Sequence, residues 1–406
     1  MTVIGIGNAR DGFVYHPDGL DLGSVLAAAA GGRPITGQPG TRAWPTAIDG
    51  LRATEADLLV EVTDSPPGAG EPGLTHMREA LRRGIPVVTS NKWPVALHGL
   101  ELAELARLRG VAFRAESTVM SGTPVLSTLT EGLAGAVPVA LRGLLNATAN
   151  AILSQMADGT SYEDALAAAQ RAGLAERDPA ADVAGHDTVA KLMILSALVF
   201  GRQLRRDQVA CQGITEITGR QARDAAAAGG RLRHVAALAF EGPGGAGTVT
   251  ARVRPEALPA GDPLASVDGA ANALVLQASP VGQIMISGPG AGPQLAGQGV
   301  LADIIAVASW QVRKPLSRAR SPALDQVLAA GRRLVRLWPE VRHLGDQAAV
   351  ELEEGHRVAG RAIEEPVEPS HRVPLVGDRE LRPQVPVAGV LLVEPQVAVT
   401  SPDTLP

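Results

Sequence analysis

The sequence is nearly without cysteine. Cys211 is the only one in 406 residues, which excludes an internal disulfide and suits a reducing cytoplasm. It stands in V-A-C-Q-G with no histidine beside it in sequence and reads as structural. An excess of positive charge is also missing: 37 Lys plus Arg face 42 Asp plus Glu, for a formal net charge of -5. That balance gives no reason to expect nucleic acid or an acidic membrane surface as partner. Long apolar runs are lacking too. The longest, Leu192 to Phe200, is too short to span a bilayer, and Arg10 and Asp11 interrupt the first before it could serve as a cleavable signal. The expectation is a soluble protein whose length allows two domains with a sizeable core.

Lysine is scarce in a more informative way. Only Lys92, Lys191 and Lys314 are lysines, and every other basic residue is arginine. With the excess of Ala, Gly and Pro, this reads as a coding preference that places arginine wherever a fixed positive charge suffices. Arginine stays protonated, whereas a lysine of free pKa about 10.4 can be lowered by burial to about 7 to 8 and then exchange a proton. Lys92 and Lys191 are therefore candidate acid/base groups; leftover structural lysines are the other reading of the same bias. Lys314, in Q-V-R-K-P, reads as an ordinary exposed charge.

Around Lys191 the chain runs E-R-D-P-A-A-D-V-A-G-H-D-T-V-A-K-L-M-I-L-S-A-L-V-F, Glu176 to Phe200. Asp178-Pro179 reads as a turn and Gly185 as a break before a helix, on which Asp187 and Lys191 stand four residues apart on one face. Ile194, Leu195 and Leu198 continue that face. The pair is thus expected at the edge of a core, with the Lys191 ammonium aimed at Asp187.

The first part of the chain alternates. M-T-V-I-G-I-G reads as a buried strand, N-A-R-D-G as a loop, and a helix is expected at about 22–30. Gly5, Gly7 and Gly12 do not carry a dinucleotide fingerprint, because the third glycine is out of place and no helix comes at once. An internal strand of a doubly wound sheet is the better reading. Asn8 and Arg10 would then lie at its carboxyl end, facing an adenosine ribose, where an arginine favours a 2′-phosphate. Strands at about 56–63, 85–90 and 111–115, with helices at about 74–83 and up to 110, complete a parallel α/β pattern. Its ligands would bind beyond the strand ends, where Thr63, Asn91, Lys92 and Glu116 fall.

From Glu116 the pattern changes to small hydroxyls and glycine, E-S-T-V-M-S-G-T-P, then a helix, the strand-like V-A-L-R-G-L-L-N, and A-T-A-N heading another helix. Strands at about 247–254 and 273–277 make a second, α+β region. G-P-G-A-G introduces a helix at about 300–308. Beyond Trp310 one helix at about 325–337 is expected, and the proline-rich remainder reads as a poorly ordered extension.

These motifs, in this order, resemble homoserine dehydrogenase. T-S-N-K-W-P-V-A is similar to that family's N-K-x-P-x-A loop, T-V-M-S-G-T-P to its substrate-side loop, and L-L-N-A-T-A-N-A-I-L to N-G-T-T-N-x-I-L. A-G-L-A-E-R-D-P-A-A-D-V-A-G-H-D-T-V-A-K is similar to E-x-D-P-x-x-D-x-x-G-x-D-x-x-x-K, and D-P-L-A-S-V-D-G-A-A-N-A-L and G-P-G-A-G-P continue the likeness to about residue 310. The resemblance implies a pyridine-nucleotide oxidoreductase that interconverts L-homoserine and L-aspartate 4-semialdehyde in threonine and methionine biosynthesis; Arg10 makes NADP the expected cofactor, with NAD possible. Lysines matching Lys92 and Lys191 would handle the proton on the substrate oxygen. Glu176, Asp182 and Asp187, with Thr148 and Gly185, would line the substrate site. Asn8, Arg10, Thr63, Asn91, Lys92, Gly288 and Gly290 would hold the cofactor, and the loop with Glu116, Val119, Ser121 and Thr123 a monovalent cation. A homodimer formed through the second region is implied as well.

The fold expected is an incomplete Rossmann-type doubly wound parallel sheet with a second α+β domain. Residues 1–124, completed by 288–312, would bind nucleotide; 125–287 would bind substrate and dimerise; 313–406 would be the extension. Met1 to Gly7 aligns with the family's second strand, because Y-H-P-D-G-L-D-L matches the segment immediately after that strand. The family's first strand, glycine loop and helix are thus expected to be absent, and with them the helix N-terminus that cradles a pyrophosphate. Ala147 and Ala149 replace a Gly and a Thr, and His186 an apolar residue. A truncated, non-catalytic relative that keeps the substrate pocket is the alternative reading. A nicotinamide enzyme acting on another amino-acid aldehyde is disfavoured by the full motif ending at Lys191.

Overall fold

A computed structural model of the chain describes residues 1–175, 178–241, 248–313 and 390–394. Glu176, Lys314 and the helix expected at about 325–337 lie outside the described residues. The chain opens with β1 (Thr2–Asn8), β2 (Gly12–Tyr15), α1 (Leu22–Ala30), β3 (Arg42–Trp44) and α2 (Ala47–Ala53). Then come β4 (Leu58–Glu61), α3 (Gly73–Arg82), β5 (Val87–Thr89), α4 (Lys92–Arg109) and β6 (Phe113–Arg114). The loop expected at 8–12 is a hairpin turn. Asn8 Oδ1 accepts the backbone N–H groups of Arg10 and Asp11, and β2 returns antiparallel along β1. A side chain that satisfies two turn amides is what Asn supplies in place of a dinucleotide loop.

Among the described residues these strands form a seven-stranded sheet in the order β3-β2-β1-β13-β4-β5-β6, where β13 is Val390–Glu394. Strands β4, β5 and β6 are parallel. Alternate residues bury opposite faces. Leu59 and Val87 pack with Leu51, Leu74, Met77 and Leu102 of α2, α3 and α4, while Leu58, Val60 and Val88 pack with Val25 of α1 and with Ile304 and Val307 of the later helix α11 (Pro293–Arg313). A sheet so covered needs apolar residues on both faces, hence the short continuous runs L-L-V and V-V.

The tail supplies β13, against the expectation of no regular element there. It lies antiparallel to both β1 and β4, with Val390 opposite Gly7 on one side and Glu61 on the other. The sheet therefore has a strand where a gap was expected. The physical reason is the backbone: two facing inner strands would otherwise leave rows of buried N–H and C=O groups without partners.

After α5 (Ser117–Met120) come β7 (Val137–Leu144), α6 (Ala147–Ala157), α7 (Tyr162–Arg171), α8 (Ala180–Val183) and α9 (His186–Val199). They precede β8 (Val209–Cys211), α10 (Gly219–Ala227), β9 (Arg231–Glu241), β10 (Thr248–Leu258), β11 (Ala271–Ser279) and β12 (Gly282–Pro289). The second sheet has the order β12-β11-β7-β9-β10-β8, antiparallel except for β8 beside β10. Gly288, expected in a loop, is thus in β12.

Helix α9 is the keystone. Leu192, Met193, Ile194 and Leu195 share one core with Trp93, Val95 and Ala96 of α4 and with Leu141, Ala236, Val253 and Leu274 of the second sheet. Helical spacing implied one apolar stripe on this helix; instead every residue from Thr188 to Ala197 is buried, because α9 is packed on both sides. Its start is fixed by Gly185, at φ 84°, where an added Cβ would lie 3.0 Å from Cys211 Sγ and 3.1 Å from His234 Cε1. Cys211 also donates to Ala184 O, and Ile214 N–H to Val183 O. A histidine is therefore close to the cysteine's surroundings after all, reached through the fold and not through sequence.

Two of these contacts can be tested directly. Gly185→Ala combines a left-handed backbone with a steric clash and is expected to cost about 1–3 kcal/mol, seen as a lower urea midpoint; an unchanged midpoint would show that the junction tolerates a side chain. Asp303 of α11 is 3% exposed and accepts the Glu116 N–H at 2.8 Å. Burial, above all, pushes its carboxyl up to about 6. Because the folded value lies above the unfolded one, the stability it contributes below about pH 4 is lost as pH rises through about 6. Asp303→Asn should therefore be the more stable protein near neutrality by up to roughly 3 kcal/mol and equal to the parent near pH 4, which thermal melts at the two pH values would test.

Candidate active site

The site is built where the end of β7, the α8–α9 junction and the start of α4 meet. Asp187, in the first turn of α9, stands between two ammonium groups. Lys92 Nζ donates to its Oδ1 at 2.6 Å, and Lys191 Nζ lies 2.9 Å from its Oδ2. Lys191 also donates to the carbonyl of Leu145 at 2.6 Å. The aim of Lys191 at Asp187 is as the four-residue spacing implied; the arrival of Lys92 across 95 positions could not be read from spacing. Lys191 is 9% and Asp187 10% exposed in the side chain, whereas Lys92 is 42% exposed and opens on a cleft.

Asn146 completes the cluster. Its Nδ2 donates to Asp182 Oδ1 at 2.7 Å and to Asp187 Oδ2 at 3.1 Å, while its Oδ1 accepts the Ala149 N–H and caps α6. Thr148 bonds elsewhere, its hydroxyl donating to Leu174 O. Sequence reasoning did not single out Asn146. The signal was present: an asparagine directly before a helix is a capping residue with two N–H groups to spare.

The charges settle unequally. Burial alone would raise the Asp187 carboxyl, but Lys191 and Lys92 together hold it well below the usual carboxylate range. Burial, then the neighbouring charge of Asp187, pushes the Asp182 carboxyl up, against the opposing hydrogen bond from Asn146. Lys92 is raised, chiefly by the charge of Asp187. This corrects the expectation that burial lowers that lysine: its carboxylate partner outweighs burial and keeps it a proton donor.

Beside Lys92, at the carboxyl ends of β4 and β5, a cleft of about 190 Å³ is lined by Val62 to Ser65 and Ser90 to Trp93. Asn91 Nδ2 donates to Ser65 Oγ at 2.9 Å and Thr63 Oγ1 at 3.3 Å. Beneath it Glu61, wholly buried, accepts the Thr63 N–H and hydroxyl and lies 2.7 Å from His76 Nδ1. Sequence reasoning missed Glu61 and His76; an acid ending the apolar run L-L-V was the available hint. Asn8 and Arg10 lie at the end of β1, as expected, but the Arg10 guanidinium is engaged by both oxygens of Asp11 and by Arg33 O. Gly290 packs on Asn272, whose amide an added Cβ would overlap and which, among the described residues, is buried without a hydrogen-bond partner.

The loop expected to hold a cation has its side chains committed. Both Glu116 oxygens accept backbone N–H groups, from Val125, Leu126 and Ser127, and the Ser121 and Thr123 hydroxyls donate to Gly290 O and Pro289 O. Val119 is an apolar residue fully out of solvent. Among the described residues no group of three His, Cys, Asp or Glu side chains is placed to hold a metal ion. Nor is any described helix long and apolar enough to cross a membrane.

Comparison with known proteins bears on this geometry. The homoserine dehydrogenase family profile matches residues 124–305. An NAD(+)-dependent homoserine dehydrogenase of Pseudomonas canavaninivorans is 35% identical over 314 residues, 77% of this chain and 88% of that protein. The homoserine dehydrogenase of Corynebacterium glutamicum is 37% identical over 268 residues, 64% of this chain and 58% of that one. A putative homoserine dehydrogenase from Archaeoglobus fulgidus matches in structure with a TM-score of 0.65 at 30% identity, covering 75% of this chain and 88% of its own. A hyperthermophilic archaeal homoserine dehydrogenase solved with NADPH gives 0.62 at 28% identity, covering 75% and 87%. At that identity and coverage, the chain belongs to the homoserine dehydrogenase family.

Proposed function

We propose that the protein interconverts L-homoserine and L-aspartate 4-semialdehyde with a pyridine nucleotide. The observation that carries this reading is the Lys92–Asp187–Lys191 bridge beside the cleft at the ends of β4 and β5. When bound, the nicotinamide exchanges a hydride with the substrate carbon. The cleft fits that end of the cofactor: Thr63 and Asn91 offer polar groups there, next to Lys92. Asn8 and Arg10 would meet the adenosine ribose. Arg10 favours a 2′-phosphate, and its partner Asp11 tempers that preference, so NADP is the expected cofactor with NAD accepted. Gly288 and Gly290 belong to the same proposal only as backbone neighbours of the cofactor.

The lysines do the proton work. An ammonium has three N–H donors; among the described residues Lys191 spends two, on Asp187 and Leu145 O, and Lys92 spends one. The remaining donors are left for the substrate oxygen. In the reductive direction a lysine gives it a proton, and in the oxidative direction a neutral lysine takes one. Asp187 holds both ammonium groups in place. Asp182, with Glu176, would receive the substrate ammonium, and Thr148 and Gly185 would shape that pocket. A monovalent cation at the 116–123 loop would need backbone carbonyls, since the side chains there are committed, and no step depends on it. The division at 124/125 into an incomplete Rossmann-type nucleotide domain and a substrate domain, and a homodimer through the second sheet, belong to the same reading.

The test is homoserine-dependent reduction of NADP and of NAD by the purified 406-residue chain, beside Lys191→Met. Turnover by the parent and a loss of about 10²- to 10⁴-fold in the variant, with homoserine binding largely kept, is the expected result. Turnover that survives the substitution removes the role given to Lys191. No turnover by a folded parent favours the non-catalytic alternative.

A further inference from the structure

We infer that Asn146 is the positioning residue of this site: one carboxamide fixes Asp182 and Asp187 as a pair and leaves Asp182 Oδ2, which has no hydrogen-bond partner among the described residues, to receive the substrate ammonium. The inference rests on the function proposed above and adds a residue to it. The carboxamide bonds in three directions, Oδ1 to the Ala149 N–H and Nδ2 to the two carboxylates. The cap also fixes which way the amide faces. Flipped, it would set its NH2 against the Ala149 N–H and its oxygen against two acids. Asn146 is 6% exposed and comes directly after Leu145, whose carbonyl holds Lys191. The link from β7 to α6 thus places the proton-handling lysine and both acids from two adjacent residues.

No common replacement can do the same. Serine can cap α6 but is too short to reach the acids, and aspartate can cap but adds a third negative charge. Among the described residues, the groups that face Asp182 are Asp187, Asn146, Lys191 and Lys92. Burial and Asp187 push its carboxyl up while Asn146 and the lysines oppose them, so losing the Asn146 donor raises it further. Since only the ionised form takes up an ammonium, the acid-side fall in homoserine kcat/KM should then move to higher pH.

Asn146→Ser keeps the helix cap and removes the bridge; Asn146→Ala removes both. For Asn146→Ser we expect kcat/KM for homoserine to fall roughly ten- to a hundredfold, the size of one hydrogen bond to a charged group. The loss should lie mainly in KM, the acid limb should shift upward, and both the nucleotide Kd and the melting temperature should stay near the parent's. Asn146→Ala should add a lower melting temperature. A parental homoserine profile in Asn146→Ser, or a change confined to stability, overturns the positioning role. If the parent itself does not act on homoserine, the functional reading fails separately. The inference is then decided by carboxyl NMR of Asp182 in 13C-aspartate-labelled protein without substrate: a higher midpoint in Asn146→Ser supports it and an unchanged one overturns it.

Discussion

A carboxylate shared by two ammonium groups holds together out of water only when all three are fixed from elsewhere. Removing the carboxylate would leave the buried Lys191 ammonium uncompensated, a cost of several kcal/mol in comparable settings. Here the three come from two helices distant in sequence: Asp187 and Lys191 from α9, Lys92 from the first turn of α4. The rest of the fold brings α4 and α9 together and keeps them there. Gly99 shows how close they are, since a Cβ on it would lie 3.2 Å from Ala197 Cβ. Helices that pack this closely need small residues on the facing sides, and these are Gly99 on α4 and Ala197 on α9.

The two sheets contribute in different ways. The first presents strand ends, so its polar groups, Glu61, Thr63, Thr89 and Asn91, gather beyond β4 and β5 and are tied to one another. Thr89 Oγ1 donates to Glu61 O, the Asn91 N–H to Thr89 Oγ1, and Asn91 Nδ2 to Thr63 and Ser65. The second sheet presents a face, and α6 and α9 lie across it. Its polar contribution comes at one edge of that packing, where Leu145 and Asn146 link β7 to α6. Lys92, Asp187 and Lys191 therefore sit at a boundary, with the lysine of one layer meeting the acid of the other. Such a placement leaves Lys191 and Asp187 nearly dry and Lys92 open to the cleft.

Local chemistry made much of this legible in the sequence. The Asp187–Lys191 pair was evident from helical spacing, and α1, α3 and α4 from their apolar periods and breaks. The elements that escaped depended on long-range pairing. Strands β2, β3 and β9 needed partners that no local pattern names, and β13 pairs with β1 across almost the whole chain. The burial of α9 on all sides was hidden because a one-sided stripe and a fully buried helix differ only in the elements packed against them. Lys92 could be marked as unusual by its rarity, yet its ion pair with Asp187 and the resulting upward shift needed the tertiary structure. Lysine scarcity marked the two residues that share Asp187; it could not assign their protonation.

The same distinction separates the two halves of the chemistry. On the proposed function, proton transfer falls to side chains whose identity is written in the sequence, and those residues stand in bonding distance of one another. Nucleotide binding in sheets of this kind rests on backbone: strand ends, turns and helix N-termini. At the end of β1 the turn amides of Arg10 and Asp11 are already taken by Asn8, and Arg10 is paired with Asp11. At the ends of β4 and β5 the side chains of Thr63, Asn91 and Lys92 line an open cleft. On the proposed function the nicotinamide end is thus the better prepared. It is also the end that must be held most closely, because hydride transfer depends on the distance between two reacting carbons, whereas the adenosine end contributes binding alone.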